Sequence, residues 1–276
     1  MYPTWLTEKM NSLGIEYFSV LRYTDVRETS SDILARAEMT PHTAIVYIVP
    51  YYVGECVNLS RYAASLDYHL ALREINSALI STLSEHYPTS RSVGYGDHSP
   101  IDERHTALIS GLGIAGDNGL IINEKYGSYV FIGDILTDVD SDALGAISPT
   151  PVSRCRSCGA CKRACPTRIL AGEGDDCLSA ITQRKGELTE DEIALMRRYN
   201  TVWGCDECQR VCPYNKEPSV TPIDFFHRDR IPHLTREILG SMSRDEFKKR
   251  AFAWRGRRTV ERNLDALYGE KTAEKP

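Results

Sequence analysis

The feature that most restricts this chain is a run of cysteines. It reads Cys155-x2-Cys158-x2-Cys161-x3-Cys165-Pro166, then Cys177, then Cys205-x2-Cys208-x3-Cys212-Pro213, so eight of the nine cysteines fall within 58 residues. The spacing C-x2-C-x2-C-x3-C-P is that of bacterial ferredoxins, in which the fourth cysteine ligates the other of two iron–sulfur clusters. Three closely spaced thiolates on a loop can cover three corners of a cubane, while the fourth, on an emerging helix, points elsewhere. Two cubanes need eight thiolates. The simplest allotment gives Cys155, Cys158, Cys161 and Cys212 to one [4Fe-4S] cluster and Cys165, Cys177, Cys205 and Cys208 to the other. Disulfides are the poorer account because nothing else points to secretion. Zinc sites take four ligands from paired C-x2-C units and do not call for the C-x3-C-P endings. Cys56, outside the run, reads as a small buried hydrophobe.

A chain of 276 residues is long enough for about two domains. Its net charge of −5 argues against broad affinity for nucleic acid, although a local basic patch is compatible with it. The N-terminus has no basic, apolar or twin-arginine leader, and no stretch approaches a membrane span, so the expectation is a cytoplasmic protein with no membrane partner.

Along the chain, residues 4–13 read as a helix, 15–21 as a strand, 25–39 as a helix, and 43–49 as a buried strand ended by Pro50. Residues 60–86 carry the longest helical pattern. A short strand around Val93 leads to Asp97, and Pro100 is expected to open a helix running to Gly111; Ile121-Ile122 and Tyr129–Ile132 are further strands. The alternation of helices and strands makes residues 1–150 an α/β domain. Residues 151–218 form the cluster domain and 219–276 a polar helical tail, so the class is α+β. Thr189-Glu190-Asp191-Glu192 should open a helix between Cys177 and Cys205, with acids in its first turn. Between Arg244 and Arg262 stand eight Arg or Lys against three acids, with Phe247, Phe252 and Trp254 among them. Such a stretch can contact phosphates, but the plainer expectation is the solvated face of an amphipathic helix.

Gly111-x-Gly113-x-x-Gly116 matches a dinucleotide fingerprint only superficially. That fingerprint follows a strand and opens a helix, whereas these glycines follow a helix and precede a strand. They more simply let the backbone turn sharply and approach a neighbour.

Several stretches together resemble one family, the epoxyqueuosine reductases, relatives of the reductive dehalogenases. They are Arg61-Tyr62-Ala63 with Asp67-Tyr68-His69; Asp97 with Pro100 and Glu103-Arg104; Gly111 to Asn118; Gly127-Ser128-Tyr129; Cys177-Leu178-Ser179; Trp203 to Pro213; and Arg258 with Arg262-Asn263. The resemblance spans roughly residues 1–265. It implies a nitroreductase-like N-terminal domain, and cobalamin held base-off between that domain and the one carrying two [4Fe-4S] clusters. It further implies Asp97 as the catalytic general acid above the cobalt. Arg61, Gly116, Asn118, Ser179, Cys205 and Asp206 would be cofactor-binding residues, with Asp97 itself facing the cofactor. The implied reaction reduces epoxyqueuosine to queuosine in transfer RNA, with electrons from an external donor such as ferredoxin or flavodoxin. An aspartate serves as an acid at neutral pH only where its surroundings raise its pKa, as an apolar cleft can.

Each residue also has a plainer reading. Asp97 can be the cap of the helix that Pro100 opens. His69 lies within the helical pattern and reads as a packing or hydrogen-bonding residue. Asp117 departs from the basic residue usual in the family's glycine loop. The chain ends soon after Arg262-Asn263, where longer members continue into a helical repeat domain that helps grip transfer RNA, so the resemblance is to a short form. Two alternatives stand beside it: a cobalamin-dependent reductase of a smaller substrate, including a dehalogenase, and a two-cluster electron-transfer protein. The N-terminal domain has no role in a simple ferredoxin, and no halide site is identifiable.

Overall fold

Thr43–Pro50 is an almost unbroken apolar run, and in the computed structural model, which describes residues 1–269, every one of its residues is buried. A strand covered on both faces reads this way because neither face needs polar side chains. The chain forms two compact units, of which the first takes Met1–Tyr51, His69–Ser157 and Glu217–Asp224. It carries α1 (Thr4–Ser12), β1 (Phe18–Arg22), α2 (Ser31–Arg36), β2 (Thr43–Pro50), α3 (Tyr68–His86), β3 (Ser92–Tyr95), α4 (Glu103–Ile109), β4 (Ile114–Ala115), β5 (Ile121–Ile122) and β6 (Val130–Thr137). Helices and strands do alternate along the chain, yet the four-stranded sheet is antiparallel throughout, in the order β1-β2-β6-β3. On one face Val46 and Ile48 pack with Ala107, Leu108 and Leu112, which seats α4 on the sheet. On the other, the Tyr47 hydroxyl donates to Asn76 of α3 at 2.7 Å. Strand side chains alternate between faces, so these two contacts fix a helix on each side.

Three of the helices begin later than periodicity suggests, each for an identifiable reason. α2 shrinks to Ser31–Arg36 because the Ser30 hydroxyl caps it. α4 starts at Glu103 because Asp102, not Asp97, is its cap, accepting from the His105 amide at 2.9 Å. The Pro100 carbonyl accepts instead from the amides of Thr29 and Ser30. The expected helix over 60–86 starts at Tyr68, since Arg61–Ala63 is a separate 3-10 turn engaged with residues far along the chain.

The second unit takes Tyr52–Tyr68, Cys158–Lys216 and the chain from Phe225 onward. It is helical: α5 (Ala160–Ala164), α6 (Leu178–Gln183), α7 (Glu190–Arg198), α8 (Glu207–Arg210), α9 (Arg236–Ser241), α10 (Arg244–Lys248) and α11 (Arg257–Tyr268). The helix expected at Thr189 is α7, opened by a reciprocal capping box between Thr189 and Glu192. α11 and α7 pack through Ala266 and Met196, joined by Leu178 and Ile181 of α6. Much of the polar-looking C-terminal stretch is core. Phe247, Phe252, Val260 and Leu264 pack around Trp203, together with Leu59 from the early segment. Among the described residues no helix is long and apolar enough to cross a membrane.

Because Phe252 is fully buried in that cluster, Phe252→Ala should cost about 3–5 kcal/mol. Its unfolding midpoint, measured anaerobically beside the parent, should fall. An unchanged midpoint would show that the C-terminal stretch is not part of this core.

Candidate active site

In the second unit, the segment at Arg61 meets the second cysteine motif through one carboxylate. Asp206 is buried. It accepts from the Ser60 hydroxyl, from the Arg61 amide at 2.7 Å, from Arg61 Nη1 at 3.1 Å and from Gln209 Nε2 at 3.2 Å. Arg61 also pairs with Glu55. Two residues read as separate cofactor contacts are therefore bonded to each other, which no local spacing signals across 145 positions. Gly204, just before Cys205, adopts φ +77° and lies so close to Ser60 that a Cβ would collide with it. Here only glycine fits. Its amide donates to Thr182 Oγ1 at 2.9 Å, and Asn263 donates to the carbonyls of Thr182 and Val202. The Arg262-Asn263 pair thus clamps the cysteine loop from α11.

A polar cavity of about 500 Å³ opens beside this brace, lined by Glu55, Cys56, Arg61, Cys205, Asp206 and Arg210 among others. Cys56 is half-buried there rather than enclosed, with Arg230 Nη2 3.5 Å from its sulfur; burial pushes its thiol up. Ser179 is half-buried at the start of α6, its Oγ accepting from Gln183 at 2.8 Å.

All nine cysteines stand as thiols. Of the eight in the run, Cys158 to Cys212 lie in the second unit, and Cys155 lies in the chain assigned to the first, its amide bonded to Ala115. α5, which carries Cys161, packs against α8, which carries Cys208. Two observations fit these residues to clusters. Burial, against a backbone bond from Glu207 and with the neighbouring Cys177 and Cys208, pushes Cys205 up to about 12, so these three sulfurs crowd one another. Iron relieves such repulsion, since metal binding requires the thiolate. At Cys165 burial acts upward, but backbone N–H groups of Leu170, Thr167 and Ile169 outweigh it and hold the thiol below its ordinary range. Such donors are what a cluster sulfur uses.

In the first unit, Asp97 sits in a left-handed turn at φ +65°, with its side chain 56% exposed. Its neighbour is His69 at the start of α3, with Nε2 3.7 Å from Asp97 Oδ2. Helical periodicity hid this pairing, although Asp67-Tyr68-His69 was visible as a motif. Glu103 and Arg104 reach two different loops from adjacent positions. Glu103 Oε1 accepts the Asp97 amide at 3.1 Å, and Arg104 donates to the Gly119 carbonyl. In the glycine loop a Cβ at Gly116 would strike Asn118 Oδ1, and the buried Nδ2 of Asn118 has no acceptor. An orphaned buried donor is costly, so this cradle fits a ligand carrying acceptors, as the amide side chains of a corrinoid do. Asp117 faces Ser157 Oγ at 3.3 Å.

The basic stretch near the C-terminus is divided: Arg244, Lys248, Lys249 and Arg258 are exposed, as on a solvated face, while three arginines are spent on structure. Arg250 donates to the Asp229 carbonyl, Arg257 to those of Leu239 and Met242, and Arg262 to those of Arg184 and Gly186. Trp254 remains exposed, with Arg255 stacked 3.8 Å above its ring.

Residues 154–215 match the 4Fe-4S double cluster binding domain. The epoxyqueuosine reductase of Listeria monocytogenes is 34% identical over 232 residues, 78% of this chain and 58% of that protein. The structure of the Streptococcus thermophilus epoxyqueuosine reductase superposes with a TM-score of 0.76 over 95% of this chain and 79% of that one, at 23% identity. That of an epoxyqueuosine reductase with an epoxyqueuosine-modified tRNA stem loop gives 0.74 over the same shares, also at 23%. At that identity these two structures establish the shared fold. The chain spans about half to three-fifths of the length of the curated relatives it matches, from 46% to 61%.

Removing the buried Asp206 carboxylate takes the acceptor from the Ser60 hydroxyl and the Arg61 amide and leaves the Arg61 guanidinium without its buried partner. Asp206→Ala is expected to destabilise the protein by about 3–5 kcal/mol, read as a lower anaerobic melting temperature with iron loss at the same temperature. Melting like the parent would mean that the brace is dispensable.

Proposed function

The chain belongs to the epoxyqueuosine reductase family, and from that premise we propose that it is a cobalamin- and iron–sulfur-dependent reductase converting epoxyqueuosine to queuosine in transfer RNA. The observation that carries this reading is one chain holding both a double-cluster cysteine set and an exposed aspartate in a strained turn beside a histidine. Strained, over-determined turns are typical of functional loops.

Deoxygenating the epoxide breaks two C–O bonds, forms a C=C bond, consumes two electrons and two protons, and releases water. When bound, the clusters supply a one-electron relay and the cobalamin a strongly reducing cobalt centre. The chain's own residues supply the rest. Cys155, Cys158, Cys161 and Cys212 would hold one cluster, and Cys165, Cys177, Cys205 and Cys208 the other. Arg61, Gly116, Asn118, Ser179, Cys205 and Asp206 would hold the corrinoid. The Asn118 amide offers a donor, and Asp206 keeps the Arg61 segment and the Cys205 loop in register.

Asp97 would give the proton to the departing oxygen, with His69, 3.7 Å away, to steady or replenish it. Its exposure suits contact with a substrate presented from outside the fold. Trp254 with Arg255 offers one surface for an unpaired base. Electrons would come from an external donor such as ferredoxin or flavodoxin, and eight thiolates suit a reducing cytoplasm.

Anaerobic reconstitution with iron, sulfide and cobalamin, followed by assay on epoxyqueuosine-containing transfer RNA, tests the reading. The parent should bind about eight irons per chain and form queuosine. Asp97→Asn should keep the cluster spectra while losing about 10²–10⁴-fold in rate. Clusters without cobalamin binding would replace this reading with electron transfer to a partner.

A further inference from the structure

Asp134 is the most deeply buried acid of the first unit, fully enclosed at the middle of β6 and paired across the sheet with Val46 and Tyr95. One of its oxygens accepts from the Ser99 hydroxyl at 2.9 Å; the other, Oδ1, is buried with no hydrogen-bond partner. Beside it stands the carboxyl of Glu103, the first residue of α4, whose Oε1 takes the Asp97 amide at 3.1 Å. Two carboxyl groups sharing a buried site do not both ionise, so one of this pair is an acid. Asp134 already receives a hydroxyl bond from Ser99, which favours its carboxylate, and the proton is therefore Glu103's.

We propose that Glu103, braced on Asp134, is a positioning residue that holds the loop of Asp97 in its left-handed turn. The inference rests on the reading of Asp97 as the acid. The loop is pinned at both ends by neighbours of this pair. Asn76 holds the Tyr95 carbonyl at 3.1 Å, and Asp134 holds Ser99. Between them, the bond from Asp97 to Glu103 fixes the residue whose φ is +65°. A protonated Glu103 does two jobs at once, donating to Asp134 and accepting from Asp97, and a deprotonated one can do only the second.

Burial, then Asp134 and Asp97, push the Glu103 carboxyl up to about 9. The other titratable groups facing the pair are Tyr47 of β2 and Tyr95 of β3, both pushed upward as phenols by burial and by Asp134; His69 of α3 stands beside Asp97. An acid with a raised folded-state pKa retains its proton better folded than unfolded. Its contribution is whole below the ordinary carboxyl value of 4.5 and is lost as pH rises through about 9. Above that, two carboxylates face each other in a closed space and the loop is released.

Glu103→Gln reproduces the protonated form, with an amide N–H for Asp134 and a carbonyl for Asp97; Glu103→Ala removes both. Two readouts on the reconstituted enzyme test the proposal. The first is hydrogen exchange of peptides spanning residues 95–101, corrected for intrinsic rates, at pH 7; the second is the pH profile of kcat and KM. Glu103→Ala should exchange at least about tenfold faster in this segment and lose about 10²-fold in kcat with KM unchanged. Glu103→Gln should keep parental exchange and kcat, and should keep its kcat above pH 9, where the parent's falls. The proposal is overturned if Glu103→Ala exchanges like the parent, if Glu103→Gln behaves like Glu103→Ala, or if the alkaline fall is the same in parent and Glu103→Gln. Faster exchange in Glu103→Ala together with full activity in Asp97→Asn would uphold the positioning and remove Asp97 from the chemistry.

Discussion

One buried carboxylate does more than any other group to determine how the second unit is built. Asp206 takes hydrogen bonds from Ser60, Arg61 and Gln209. A buried charge is tolerated only when its lone pairs are met. Meeting them here draws residues 60–61 out of the helical pattern that their side chains otherwise suggest. Gly204 has no side chain for the same reason, because Ser60 occupies the space. Trp203 then seals the join, its indole donating to the Tyr62 hydroxyl at 3.1 Å while its rings pack with Phe252. The loop that presents Cys205 is thus held by polar bonds on one side and aromatic packing on the other.

The first unit solves a related problem in a different way. Its central sheet needs no charge, yet β6 buries Asp134 at full depth. That acid accepts from a serine and lies beside another acid rather than a cation, so the proposed arrangement depends on a proton. Residues stretched between such a pair and a strained turn are well suited to hold an exposed group such as Asp97 still, because the loop has few alternatives at low cost. Arg104, next to Glu103, ties the same helix to the glycine loop through Gly119. α4 therefore organises both loops of its unit that carry candidate functional residues.

The basic C-terminal stretch illustrates how far composition can mislead. Eight cations among three acids suggest a surface for a polyanion. Three of the eight, Arg250, Arg257 and Arg262, instead donate to main-chain carbonyls, while Arg244, Lys248, Lys249 and Arg258 are exposed. Long side chains that end in a fork of donors are well suited to satisfying exposed carbonyls. The count of charges carries no information about which way each one points.

The sequence by itself determined what depends on spacing and on local preference. The cysteine intervals encode the double-cluster domain because ligand geometry constrains neighbours in the chain. The apolar run of β2, the acid-rich start of α7 and the reversed context of the glycine loop were legible for the same reason, each being settled within a few residues. What only the tertiary structure decided is what joins distant residues: the antiparallel order of the sheet, the bond of Arg61 to Asp206, the approach of His69 to Asp97, the meeting of Glu103 with Asp134, and the burial of the C-terminal aromatics. Periodicity reports which face of an element is apolar. It cannot report which remote carboxylate, carbonyl or ring will meet that face, because that meeting is fixed by the packing of the whole unit.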